Sequence, residues 1–268
     1  MKLEVLVSTM NLKNVEEGQK LRNKMNINTP SIIINQITDS SIKEFDDEKI
    51  FSKKEKGLSR SRNMAIEKAS EEICVIADDD LVYVEEYEKI ILNAYEEKKD
   101  ADIIAFYVKS NTKNRPTTVQ KEKKCGYLSS MRIASFQITF KRSSVINSKV
   151  KFDETFGAGS GNYLMGEENI FLFDCLRRGL KIYFVPIKIA EVTHLNSTWF
   201  NEYNETYFKS KGACFYRMSK LFSNVLIFQF AIRKRNLFKQ KYNVISAIKI
   251  MLKGKKEYKN YVSGRTNG

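Results

Sequence analysis

Through the first half of the chain, short runs of β-branched and aliphatic residues alternate with stretches whose apolar positions recur every three to four residues. The runs at residues 4–9, 31–35, 73–77 and 102–107 predict strands, and the stretches at 15–24, 58–69 and 84–97 predict helices. Strand and helix in alternation imply an α/β fold, a Rossmann-like, mostly parallel central sheet with helices on both faces. Such sheets bind ligands beyond the carboxyl ends of their strands. Further on, residues 109–126 are polar and basic, contain Pro116, and read as a long loop. A strand at 136–141, a glycine-rich stretch at 157–161, a helix at 167–178 stopped by Gly179 and a strand at 181–185 stopped by Pro186 follow.

Charge divides the chain more sharply than hydropathy does. The 268 residues carry a formal net charge of +14, and residues 209–268 hold fifteen Lys or Arg against the single acid Glu257. That stretch contains the whole excess, so residues 1–208 are formally neutral. We read residues 1–200 as one domain, with halves at 1–107 and 108–200, and residues 201–268 as a basic amphipathic helical tail. The longest apolar stretch, residues 221–232, includes Ser223, Asn224 and Gln229 and is shorter than the ~18 residues of a spanning helix. No transmembrane span is expected, nor a signal peptide, because Glu4 interrupts the first apolar run. Cys74, Cys125, Cys175 and Cys214 show no paired spacing, which fits a reduced, cytoplasmic setting.

The tail also suggests a partner. The apolar runs 221–232 and 244–252 are flanked by Arg233-Lys234-Arg235 and by Lys253, Lys255 and Lys256. This pattern suits helices lying on an anionic membrane surface, or a packed appendage with a solvated basic face. No nucleic-acid-binding module is apparent, so no nucleic acid is expected as a partner; a homo-oligomer stays open.

Candidate chemistry begins at Asp78-Asp79-Asp80, directly after an apolar strand. Three adjacent carboxylates repel one another, and a divalent cation relieves the repulsion; a solvated acidic turn is the plainer reading. In an extended segment Asp78 and Asp80 share one side, a geometry suited to Mg²⁺ or Mn²⁺ bridging to a diphosphate. Just upstream, Gly57-Leu58-Ser59-Arg60-Ser61-Arg62-Asn63 opens a predicted helix, whose amides and Arg62 would suit phosphate oxygens. A serine N-cap on an exposed basic turn accounts for it as well. Glu167 and Glu168 open another predicted helix, where the macrodipole favours negative charge by ~0.3–1 kcal/mol. A carboxylate held there would also serve as a general base.

These motifs together resemble family-two glycosyltransferases of the GT-A fold. The likeness covers residues 3–199: Val5-Leu6-Val7-Ser8-Thr9-Met10-Asn11, then Ser61-Arg62-Asn63 through Asp78-Asp79-Asp80, then Phe152-Asp153-Glu154-Thr155-Phe156-Gly157, Gly166-Glu167-Glu168-Asn169 and Gly179 through Pro186. The resemblance implies an inverting transfer of a sugar, a hexose by type, from a nucleotide diphosphate, UDP in the first instance. The acceptor would be a glycan or a polyprenyl-diphosphate-linked saccharide in capsule or other surface-polysaccharide synthesis, at the inner face of the cell membrane. It also implies roles by position. Asp80 and the sole histidine, His194, would ligate Mn²⁺ or Mg²⁺. Thr9, Asn11, Asn35, Arg62, Asp78 and Asp79 would bind the nucleotide sugar, Asn35 standing where an aspartate often meets the base. Glu168 would be the catalytic base, and Glu167 and Trp199 would line the acceptor side. Two alternatives remain at this stage, a metal-dependent nucleotidyltransferase and a non-catalytic basic nucleic-acid-binding protein.

Overall fold

The computed structural model of the chain describes residues 1–110, 121–193 and 202–266. Its strands are β1 (Leu3–Met10), β2 (Ser31–Gln36), β3 (Ile50–Lys53), β4 (Ile73–Asp78), β5 (Leu81–Tyr83), β6 (Ile103–Lys109), β7 (Lys123–Cys125), β8 (Ile138–Lys141) and β9 (Ile182–Val192). Its helices are α1 (Val15–Lys24), α2 (Leu58–Lys68), α3 (Tyr87–Glu97), α4 (Tyr127–Ser130), α5 (Arg142–Ser148), α6 (Glu167–Arg177), α7 (Glu205–Met218), α8 (Ser223–Arg233), α9 (Arg235–Phe238) and α10 (Val244–Thr266).

One sheet runs in the order β3-β2-β1-β4-β8-β6-β9-β5, with β7 beside β9. The first four strands in this order pair parallel. Their side chains alternate between two apolar cores: Val5 and Val7 of β1 enter one, and Leu6 the other. Burial on both faces is why these strands read as continuous apolar runs. β8 enters antiparallel between β4 and β6, so the expected mostly parallel sheet is mixed beyond β4.

Two local expectations change. The strand expected to stop at Pro186 continues to Val192 as β9. Its register against β6 jumps from Phe106↔Val185 to Tyr107↔Lys188. Pro186 and Ile187 therefore sit in a bulge, where the missing proline N–H breaks no ladder bond. The loop expected over 109–126 contains β7, which pairs with β9.

The tail is not a separate appendage. Phe156, Ile170 and Phe173 share a third apolar core with Phe208, Cys214, Phe215, Met251 and other residues of α7 to α10. α7 and α10 cross closely because glycines meet backbone: a Cβ at Gly212 would lie 1.8 Å from the Met251 carbonyl oxygen, and one at Gly254 2.2 Å from that of Lys209. The apolar run 244–252 thus packs through Ala247 and Met251, both fully buried, while Ile245 stays exposed. Arg217 of α7 ties the tail to the sheet-bearing part, its Nε 2.7 Å from Asp153 Oδ2 and its Nη2 2.7 Å from Asp174 Oδ2. Among the described residues, no helix is long and apolar enough to cross a membrane.

Candidate active site

β1 and β4 lie side by side and deliver Thr9 and the aspartates to the same edge of the sheet, with Ser8 paired to Asp78 in register. Strand β4 ends at Asp78, and Asp79 and Asp80 form a turn. The strand alternation invoked for Asp78 and Asp80 therefore stops at Asp78, and the turn directs the other two. Thr9 Oγ1 donates to Asp79 Oδ2 at 2.7 Å. The Asp80 carbonyl accepts from Thr193, both from its N at 2.8 Å and from its Oγ1 at 2.9 Å. The end of β9 is thus fastened to the aspartate turn. His194, the following residue, and Trp199 lie outside the described residues.

Arg62 joins the two acidic clusters. Its Nη2 donates to Asp78 Oδ1 at 2.9 Å and its Nη1 to Glu167 Oε1 at 3.0 Å, although the residues are 16 and 105 positions away in sequence. Its side chain is 1% exposed, and its guanidinium lies 5.5 Å from the centre of the Phe152 ring. Burial alone would lower its pKa, but Asp78 and Glu167 more than reverse this and raise it above the ordinary arginine value. Arg62, expected at the diphosphate, is thus a sealed guanidinium bonded to two carboxylates, which it positions. Asn63 reinforces the arrangement by pairing with both N and O of Phe152.

The first two residues of α2 are also engaged within the protein. Leu58 N donates to the Ala158 carbonyl at 2.9 Å and Ser59 Oγ to that of Phe156 at 2.7 Å, so the glycine-rich loop covers this helix start. Gln36 holds Gly57 from the other side, Nε2 to carbonyl at 2.8 Å. The sequence reading missed this clamp, since a glutamine at a strand end has no distinctive spacing. Asn35 likewise turns inward. It is fully buried, accepting from Leu12 N and donating to the Leu12 carbonyl and Ser52 Oγ, each at 2.9 Å. Its amide N–H groups are both committed within the protein, and it shapes the loop after β1. Asn11 sits in that loop with φ 58° and accepts from the backbone N of Thr38 and Asp39.

At the start of α6 the two glutamates part company. Glu167, expected on the acceptor side, is 7% exposed and bonded to Arg62. Burial first, then repulsion from Glu168, pushes its pKa up to about 7 against the pull of Arg62. Glu168 is only partly buried, and its Oε1 accepts from Asn169 Nδ2 at 3.3 Å. The turn into the helix requires Gly166: φ is 98°, and a Cβ there would lie 2.4 Å from Cys214 Sγ of α7. The tail therefore buttresses the segment that presents Glu168.

The donor chemistry fits a hard divalent ion. Asp78 keeps one oxygen beyond Arg62, and Asp80 adds oxygens of the same kind. Mg²⁺ and similar ions need only one or two carboxylates when phosphates and water complete the shell. Among the described residues, no three His, Cys, Asp or Glu side chains form a metal cage.

Comparison with known proteins agrees with this arrangement. No curated protein matches the chain in sequence. Crystal structures of S. aureus TarS 1-349 do match in fold. The complex with UDP-GlcNAc has a TM-score of 0.60 and 15% identity, covering 91% of this chain and 76% of that one. The complex with UDP also has a TM-score of 0.60 and 15% identity, covering 95% and 81%. Residues 32–159, which run from β2 through the aspartate turn to the glycine-rich loop, match the family model described as glycosyl transferase family 2. The chain is thus similar to glycosyl transferase family 2 over the segment that carries the aspartate turn, and to the TarS structures in overall fold.

Proposed function

We propose that this protein is a metal-dependent, inverting glycosyltransferase that moves a sugar, a hexose by type, from a UDP-sugar to a glycan or polyprenyl-diphosphate-linked acceptor in surface-polysaccharide synthesis. The observation that carries the reading is the Arg62 bracket, which brings Asp78 and the glutamate pair within the span of one guanidinium. A donor beyond Asp78 and an acceptor beside Glu168 would then meet in a single cleft. The UDP and UDP-GlcNAc in the TarS complexes support the donor class.

Asp78 and Asp80, with His194, would hold Mn²⁺ or Mg²⁺, which when bound supplies positive charge to the leaving diphosphate. Glu168 takes the proton from the acceptor hydroxyl, and its position in the first helical turn, backed by Gly166 and α7, fixes where that hydroxyl must approach. Arg62 and Glu167 orient the two carboxylates without touching substrate. Attack opposite the nucleotide converts an α-linked donor into a β-linked product. The basic tail holds the enzyme on an anionic membrane surface, where a lipid-linked acceptor resides.

Incubation with a panel of UDP-sugars and Mn²⁺ tests the reading. Release of UDP with one sugar, abolished by chelation and weakened by Asp80→Ala, is expected. Undiminished release in chelator would remove the metal, and pyrophosphate formed from a nucleoside triphosphate would make the protein a nucleotidyltransferase.

A further inference from the structure

The tail holds two apolar runs that look alike in sequence and end in opposite places. That of α10 turns Ala247 and Met251 inward and leaves Ile245 exposed, with no second large apolar side chain of the run beside it in the open. α8 buries Ser223, Leu226, Ile227 and Ala231 against the core but leaves Val225, Phe228 and Ile232 exposed by 62%, 46% and 56%. The turn leading into it adds Leu221 at 81% and Phe222 at 60%. Positions 221, 225, 228 and 232 recur at helical spacing, so they form a single stripe along the outward side. Scattered surface apolar residues need no explanation, but a continuous stripe marks an interaction surface.

What surrounds the stripe identifies its occupant. Lys220 precedes it and Arg233, Lys234 and Arg235 follow it. Lys255 reaches over from α10, its Nζ 2.6 Å from Asn224 Oδ1, which adds a cation on the flank. A second copy of this chain docking through the same face would set one strongly basic segment 209–268 against another, with Glu257 the only acid in either. An anionic lipid surface satisfies both features, accepting the aliphatic and aromatic side chains below the headgroups and the cations among them.

Resting on the membrane-surface reading above, we propose that the outward stripe of α8, residues 221, 222, 225, 228 and 232, inserts into the headgroup–acyl boundary of an anionic membrane, with its flanking cations at the headgroups. α8 is then the inserting element and α10 the support that holds it against the catalytic part.

Full-length protein and two variants would be mixed with vesicles of phosphatidylcholine alone and with about one third phosphatidylglycerol. One variant, Val225→Ser/Phe228→Ser/Ile232→Ser, removes apolar surface and leaves every charge. The other, Arg233→Gln/Lys234→Gln/Arg235→Gln, does the reverse. Both change exposed positions, and unchanged unfolding midpoints would verify that they fold. Affinity for the anionic vesicles should fall at least about tenfold in each. An environment-sensitive dye on Ile232→Cys should report an apolar setting only with anionic vesicles, and labelling is selective because the four native cysteines are buried. Undiminished binding of the serine variant, with loss only in the glutamine variant, would overturn insertion and leave simple electrostatic adsorption. No vesicle binding by the wild type would overturn the membrane reading itself. Concentration-dependent self-association that the serine variant abolishes would assign the stripe to a second copy and also overturn the proposal.

Discussion

Two runs of adjacent carboxylates, Asp78-Asp79-Asp80 after β4 and Glu167-Glu168 at the start of α6, face the same repulsion and resolve it by different local geometry. At the strand end the chain turns, and successive side chains leave in different directions, Asp78 to Arg62 and Asp79 to Thr9. At the helix start, consecutive residues point about 100° apart, so Glu167 falls on the buried side and Glu168 on the open side. At the helix start Arg62 binds Glu167 and leaves Glu168 the more exposed; at the strand end it takes one oxygen of Asp78 while Thr9 holds Asp79. Adjacent acids are therefore not interchangeable, because their partners place them in different surroundings.

The sharpest way to break this division is to neutralise each glutamate in turn. Glu168→Gln should lower sugar transfer by ~10²–10⁴-fold with nucleotide-sugar affinity little changed, as read by steady-state rates and donor titration. Glu167→Gln should keep most of its turnover. The reverse pattern would move the base to the buried residue and dissolve the distinction drawn here.

Removing the shared cation comes next in size. Arg62→Met leaves Asp78 and Glu167 without their common partner, and breaking a buried pair in this way costs about 3–5 kcal/mol. Urea unfolding should show that loss. A change under about 1 kcal/mol would mean that water reaches the carboxylates and that the bracket is not structural.

The helix-start cluster alone depends on a left-handed glycine. Gly166→Ala forces a Cβ into Cys214 at φ 98° and should cost ~1–3 kcal/mol. Gly166→Ala with Cys214→Ala should recover only the part due to the clash, leaving the backbone strain. Complete recovery would show that conformation plays no part.

The smallest expected effect is a pH dependence confined to Glu167. The folded protein keeps its proton up to about 7, whereas the unfolded chain releases it near the ordinary 4.5. Between these values the unfolded state binds fewer protons, so this group's contribution is full below about 4.5 and is lost as pH rises through about 7. Unfolding midpoints in urea from acid to neutral pH should fall in the wild type relative to Glu167→Gln. Parallel profiles would show that Glu167 is ionised throughout.

Much of the parallel half was legible because its signals are local. Helix α1 was expected at the residues it occupies, since Asn14 caps it through Glu17 N and its charges suit the dipole. β1, β2 and β4 were expected to within one residue at each end, because burial on both faces gives uninterrupted apolar runs. β5 and β7 were not seen, being three residues each and stabilised only by pairing with β9. In the candidate site, the aspartate triplet and the glutamate pair could be found by type and spacing, but the partners of Asn35 and Arg62 could not.

By itself the sequence determined the α/β alternation, the places where carboxylates concentrate and the confinement of excess charge to the last sixty or so residues, all properties of neighbouring positions. Only the tertiary structure decided that β9 passes through Pro186 on a bulge, that α8 rather than α10 keeps an apolar stripe in the open, and that Arg62 binds both Asp78 and Glu167. The reason is that each of these outcomes depends on a partner far along the chain, as far as 105 residues for Arg62 and Glu167, and periodicity fixes which way a side chain leaves its own element but not what it meets there.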